Sequence, residues 1–243
     1  MEDINAMQAA SPYYIDLDRI SELSRNARIT RRDIESLFKV DACAAWETLG
    51  AWKALIGDWE GVQEAFRNSL ALGSTGSNRV NWVINCINLG MFSAGQEAYA
   101  AVGAPESNYF SVAQIAGVRC GAVELVAHFV ERAKKMQINW DEGSEATLNE
   151  AHQMLKGAGI SDEQIGRHLD IAGVVLRRHH IRPKVYPRVI SAEGFFNGVT
   201  YTFTVPVSAA EAFEMNMELA EGEVEAGIVK DVAFDVVFEA EAA

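Results

Sequence analysis

Ten consecutive residues in the first half of this chain return, in altered form, 33 positions further on. Gly57-Asp58-Trp59-Glu60-Gly61-Val62-Gln63-Glu64-Ala65-Phe66 lies over Gly90-Met91-Phe92-Ser93-Ala94-Gly95-Gln96-Glu97-Ala98-Tyr99. Glycine falls on glycine, an aromatic on an aromatic two places later, and Gln-Glu-Ala-aromatic on Gln-Glu-Ala-aromatic. A period of this length belongs to stacked helical pairs, each too small to bury its apolar face alone. The repeat therefore predicts antiparallel helical hairpins that share a buried seam with their neighbours.

The rest of the first half agrees. Thr30 with Asp33 reads as a helix start, because a side-chain oxygen there can accept from a free backbone amide. Helical periodicity then runs to about Met136, broken at Gly57-Asp58, at 73–77, at Gly90, at Gly103-Ala104-Pro105 and at Gly121. Residues 1–29, with a turn signal at Ser11-Pro12, form an N-terminal arm ahead of a repeat region at 30–138.

The first copy also contains Trp46, Leu49 and Gly50 upstream of Gly57, Asp58 and Trp59, with Phe66 and Leu70 downstream. This pattern resembles the tetratricopeptide repeat over about residues 44–136. The resemblance implies that Trp46 and Leu49 of a first helix pack on a second, that Gly50 allows close approach, and that a Gly-Asp-aromatic turn joins the two. Val62 and Ser69 depart from the alanines usual in that family, and no proline closes the repeat. The second copy keeps its turn and second helix but displaces its tryptophan to Trp82, and a third at 111–136 would turn at Gly121. Such an array presents a concave groove lined by the first helices, suited to a peptide or single helix of a partner protein. Lys53, Asn81, Asn85 and Asn88 are the polar groove candidates.

Residues 144–182 continue as helix. Leu148, Ala151 and Leu155 share one face, and Gly157-Ala158-Gly159 stops it. Ser161 and Gln164 then form a capping box. Ile165, Leu169, Ile171 and Leu176 follow spacings that resemble the helix-turn-helix of some bacterial regulators, with Asp170 where that family favours a turn glycine. On this alternative the unit at 161–180 reads DNA, the repeats act as sensor, and Arg177, Arg178 and His179 contact phosphates. A plain helical hairpin is the competing reading.

From Pro183 the pattern changes. Strand propensity at 184–191, a turn at or near Asn197-Gly198 and the alternation of Val199, Tyr201, Phe203 and Val205 predict a hairpin. A capping box at Ser208 and Glu211 opens a helix with Phe213, Met217, Ala220 and Val224 as its apolar stripe. Val232, Phe234, Val236 and Phe238 alternate again. The order predicts an acidic ββαβ module at 183–243, the helix laid over an antiparallel sheet. The fold expected is mainly α: a tetratricopeptide-like array, a short helical segment and this α+β module.

Charge and chemistry narrow the function. The net charge is −13, and residues 208–243 hold ten acids against Lys230 alone. Residues 151–188 reverse the sign, with seven bases against three acids, so only that segment could attract nucleic acid. No apolar run approaches the roughly 20 residues needed to span a bilayer. Cys43, Cys86 and Cys120 form no Cys-x-x-Cys pair and read as small buried thiols in a reducing compartment. The glutamates at 211, 214, 218, 221 and 225 read as a solvated face rather than a metal site, and adjacent His179 and His180 diverge by about 100° on a helix. No phosphate-binding loop, dinucleotide fingerprint or nucleophile elbow is present. The expectation is a cytoplasmic, non-enzymatic adaptor without cofactor. Its partner is another protein or peptide, with DNA as the alternative, and self-association through the C-terminal module stays open.

Overall fold

A computed structural model describes residues 11–15, 23–106, 108–138, 143–192 and 196–241. Helices dominate: α1 (Leu23–Leu37), α2 (Ala42–Leu55), α3 (Trp59–Leu72), α4 (Gly76–Asn88), α5 (Phe92–Ala100), α6 (Phe110–Arg119), α7 (Val123–Lys135), α8 (Gly143–Ala158) and α9 (Asp162–Arg178). The chain ends with β1 (Val185–Ala192), β2 (Phe196–Val205), α10 (Ala209–Glu225) and β3 (Phe234–Ala240).

Three helical pairs, α2–α3, α4–α5 and α6–α7, are joined by the same backbone device. Gly57, Gly90 and Gly121 adopt φ of +77°, +64° and +81°, a left-handed conformation that favours glycine. The residue after each glycine donates to a carbonyl five positions back: Asp58 to Lys53, Met91 to Cys86 and Ala122 to Gly117, each at 2.9 Å. Each glycine donates to the carbonyl three back. This is the Schellman closure of a helix, made at each of these three joints. Neighbouring first helices touch, α2 with α4 and α4 with α6, as expected of stacked pairs. At Gly50 an added Cβ would lie 2.6 Å from the buried Phe66 ring, so close approach does require glycine there. The aromatic contact of Trp46, in contrast, is edge-on with Phe38 at 5.1 Å, just past the end of α1.

The helix start read at Thr30 is not one. Thr30 is buried inside α1, which begins within the segment assigned to the arm and presents Ile34 to Trp52 and Leu55 of α2. Packing of that apolar face overrides the local capping chemistry. Residues 11–15 are docked: Tyr14 N–H donates to the His180 carbonyl, Ile15 N–H to that of Leu55, and Arg182 N–H to that of Pro12.

The turn expected at Asp170 is also absent. Asp162–Arg178 is one unbroken helix of 17 residues, so no helix-turn-helix exists at 161–180. Its two aspartates are used elsewhere. Asp170 Oδ1 accepts from the amides of Phe92 at 2.6 Å and Ser93 at 3.1 Å. Asp162 accepts from those of Glu124 at 2.9 Å and Leu125 at 3.1 Å. The residues preceding α5 and α7, Met91 and Ala122, have no side chain able to cap. Helix α9 therefore caps two repeat helices from outside, whereas Asp58 caps α3 from its own chain position. The contact is close: a Cβ on Gly173 would fall 1.9 Å from the Gly90 carbonyl oxygen.

In the sheet, β1 pairs antiparallel with β2, and β2 pairs parallel with β3, from Val199↔Phe234 to Val205↔Ala240. The expected antiparallel sheet is thus mixed, because α10 returns the chain to the end at which β2 began. Asn197 and Gly198 are strand residues in register with Ser191 and Ile190, not the turn. Gly198 instead lets the Ala233 carbonyl approach, 2.3 Å from where a Cβ would stand. Val199, Tyr201, Phe203, Val205, Phe234, Val236 and Phe238 are buried as expected, but Val232 precedes β3 and is exposed.

The stripe expected to bury α10 faces outward. Ala212, Met215, Leu219 and Glu223 point inward, while Phe213, Met217 and Val224 are 65%, 50% and 78% exposed. Polar contacts set this rotation. Asn216 Nδ2 donates to the Phe238 carbonyl and Asn216 Oδ1 accepts from its amide, both at 2.9 Å, while Glu223 Oε1 lies 2.7 Å from His168 Nδ1. One core runs from Val80 through the helices to Phe238, and the first pair is served by two smaller clusters.

Candidate functional site

Helices α4 and α6 lie beside one another, and β1 stands opposite them. Thr204 N–H donates to the Lys184 carbonyl at 3.0 Å, which fixes the alternation along the hairpin. Even-numbered β1 residues then point their backbone groups at β2, and Val185, Pro187 and Val189 point theirs away from it. Pro187, which has no amide hydrogen, thus sits where no ladder bond to β2 is lost, as an edge strand permits.

Two cavities follow β1. The larger, about 510 Å³, lies between Ile115, Val118 and Arg119 of α6, Leu148 and Ala151 of α8, and Pro187, Val189 and Tyr201 of the sheet. The smaller, about 240 Å³, lies between Ile84 and Asn88 of α4, Val112 and Ile115 of α6, and Val185 and Tyr186 of β1. Ile115 and Arg119 border both, so the two lie side by side along α6. Val112 and Ile115 are about half exposed, at 47% and 51%. Their i, i+3 spacing puts them on one face of α6.

Polar groups at the groove are few. The Arg119 guanidinium stands 5.6 Å over the Tyr186 ring, a cation–π arrangement that holds its charge at the rim. Arg188 and Lys184 are the other cations, Lys184 paired with Glu241 at 2.7 Å. The Tyr201 hydroxyl donates to the Val118 carbonyl at 2.7 Å, and burial pushes its pKa well above the ordinary range, so it is a neutral structural donor. The arrangement is an apolar trough with a cationic edge on an acidic molecule.

Only one of the four polar residues expected in a groove lies here. Asn88 borders the smaller cavity, and its carbonyl accepts from Tyr14. Lys53 is paired with Asp58 at 2.7 Å. Asn81 donates to Glu47 of α2, and Asn85 is buried and donates to the Asn81 carbonyl at 2.7 Å. The Asn81 amide ties α4 to α2, whereas that of Asn85 bonds back within α4. Of the basic trio expected at phosphates, Arg177 is turned inward, while Arg178 and His179 are exposed and engaged by one glutamate. Arg177 donates to the carbonyls of Leu89 and Gly90 at 2.7 and 2.8 Å, and burial lowers its pKa. Arg178 and His179 both meet Glu218, at 3.6 and 2.8 Å.

Sequence reasoning missed Arg119, Arg188 and the apolar pair Val112 and Ile115. A readable signal existed, since two β-branched residues and an arginine recur at i, i+3 and i+7 along α6. The cysteines are free: Cys86 and Cys120 are buried, Cys43 half-buried, and burial pushes the Cys120 thiol up to about 12. Among the described residues no group of three ligand-type side chains could hold a metal ion, and no helix is long and apolar enough to cross a membrane. No family model, curated protein or solved structure matches this chain.

Proposed function

We propose that this protein is a non-enzymatic scaffold of tetratricopeptide-like helical pairs, and that it holds an acidic, apolar peptide segment of a partner protein in the groove between α6 and β1. The observation that carries the reading is the exposed run Val112, Ile115 and Arg119, of which Ile115 and Arg119 border the 510 Å³ cavity and all three the smaller one. An apolar side chain of the partner would enter the cavity, where burial supplies most of the affinity. Acidic residues flanking it would meet Arg119 and Arg188, which add orientation and speed of encounter more than strength. The groove candidates foreseen at Lys53, Asn81 and Asn85 serve in this reading to stiffen the array.

A displayed peptide library selected on the full chain tests it. Enrichment of sequences combining large apolar residues with Asp and Glu is expected, and Ile115→Asp should abolish it because a charge would stand in the trough. Enrichment of basic sequences, or equal enrichment on the Ile115→Asp variant, would sink the reading.

A further inference from the structure

The outward stripe of α10 is a second exposed apolar surface. Phe213, Met217 and Val224 fall on one line of the helix at i, i+4 and i+11, and Val229 and Val232, both strongly exposed, continue the apolar area past its end. The rotation is fixed by the contacts of Asn216 with Phe238 and of Glu223 with His168, so the helix cannot turn the stripe inward without breaking both. About 100° around the helix from the stripe runs a ridge of Glu214, Glu218, Glu221 and Glu225. Glu218 is engaged by Arg178 and His179. Glu214, Glu221 and Glu225 are exposed and make no ion pair with a described residue.

An apolar line with an acidic ridge beside it is complemented by a helix of the opposite charge pattern: large aliphatics on one face and lysines or arginines next to them. A second copy of this chain would set one acidic ridge against another, within a segment carrying ten acids and one base. The chain's own first ten residues carry Glu2 and Asp3 and no base, so they have the wrong sign too. We propose that α10 docks a basic amphipathic helix of a partner protein. This surface is separate from the α6 groove and selects the opposite charge, so the two would join different partners.

The test titrates the full chain with a synthetic leucine–lysine amphipathic peptide of about 18 residues, long enough to form a helix, and with its leucine–glutamate counterpart. Fluorescence anisotropy should show binding of the lysine peptide alone, weakening as salt is raised to about 0.5 M. Phe213→Ser with Met217→Ser should reduce affinity about ten-fold or more. Both side chains are exposed, so far-UV circular dichroism and Tm should be unchanged. Glu221→Gln with Glu225→Gln should weaken binding and flatten its salt dependence. Ile115→Asp should leave it intact, which separates this surface from the groove. Equal binding of the glutamate peptide, or wild-type affinity in the serine variant, overturns the proposal. So does loss of binding in Ile115→Asp, or a dimer that Phe213→Ser dissolves.

Discussion

At the scale of single residues, the backbone amides that open α5 and α7 decide how the repeat region is held. A helix start leaves amides without partners, and an uncapped one typically costs about 1 kcal/mol. In the first pair Asp58 meets this need from the turn itself and also pairs with Lys53, whose hydrogen bond, against the opposing effect of burial, holds the carboxyl below its usual range. In the second pair Met91 cannot, and Asp170 instead takes the first two amides of α5 from 77 and 78 positions away. Asp170→Ala should therefore lower unfolding stability by about 1 to 2 kcal/mol in urea titration. An effect indistinguishable from zero would mean that water caps α5 just as well. Gly173→Ala should cost more, because the added carbon would overlap the Gly90 carbonyl oxygen and force α9 away from the turn. A loss of about 1 to 3 kcal/mol is expected, the range for overpacking in close-packed interiors. If Gly173→Ala proves neutral, the approach of the two backbones is looser than described.

Between elements, α9 and α10 are joined through a buried acid. Burial by itself would raise the Glu223 carboxyl, but the His168 hydrogen bond and the Lys230 ammonium at 3.3 Å outweigh it and hold the group below its ordinary value of 4.5. A carboxyl depressed on folding contributes stability that is complete above its unfolded pKa and lost as pH falls through the folded one. The α9–α10 contact should accordingly loosen in acid, below about pH 4 to 5. Glu223→Gln should cost about 1 to 3 kcal/mol at pH 7, the penalty of a poorly satisfied buried polar group. It should also flatten the acid limb of a Tm against pH curve, and an unchanged limb would assign the acid sensitivity to other groups. What could be read from sequence divides along the same lines. The turn glycines, the capping boxes at Ser161 and Ser208 and the strand alternation at 199–205 were legible because each acts within a few residues. The trans caps from Asp162 and Asp170, the parallel pairing of β3 and the facing of α10 were not. Two apolar lines exist on α10, at 212, 215 and 219 and at 213, 217 and 224, and only the long-range contacts of Asn216 with Phe238 and of Glu223 with His168 choose between them.

Across the whole molecule, the repeat region is not an open-ended stack. The sheet closes over its second and third pairs, which explains why two residues in the same position of the repeat differ. Trp59 and Phe92 both open the second helix of a pair after a left-handed glycine. Trp59 stays half-buried, whereas Phe92 is fully buried, 5.6 Å from Phe203 in an edge-on contact. The core shared by α4 to β3 should make these elements one cooperative unit, and the smaller clusters under α1 to α3 should let the first pair open before it. Phe203→Ala removes a buried ring that also meets Phe238, and should cost about 3 to 5 kcal/mol. Hydrogen exchange would show where that loss falls. Amides of α4 to α7 and of the sheet should lose protection together, and those of α1 to α3, already the fastest to exchange, should change little. Equal loss along the whole chain would instead show that the first pair unfolds only with the rest, and that the seam between α3 and α4 carries more of the stability than its small apolar cluster indicates.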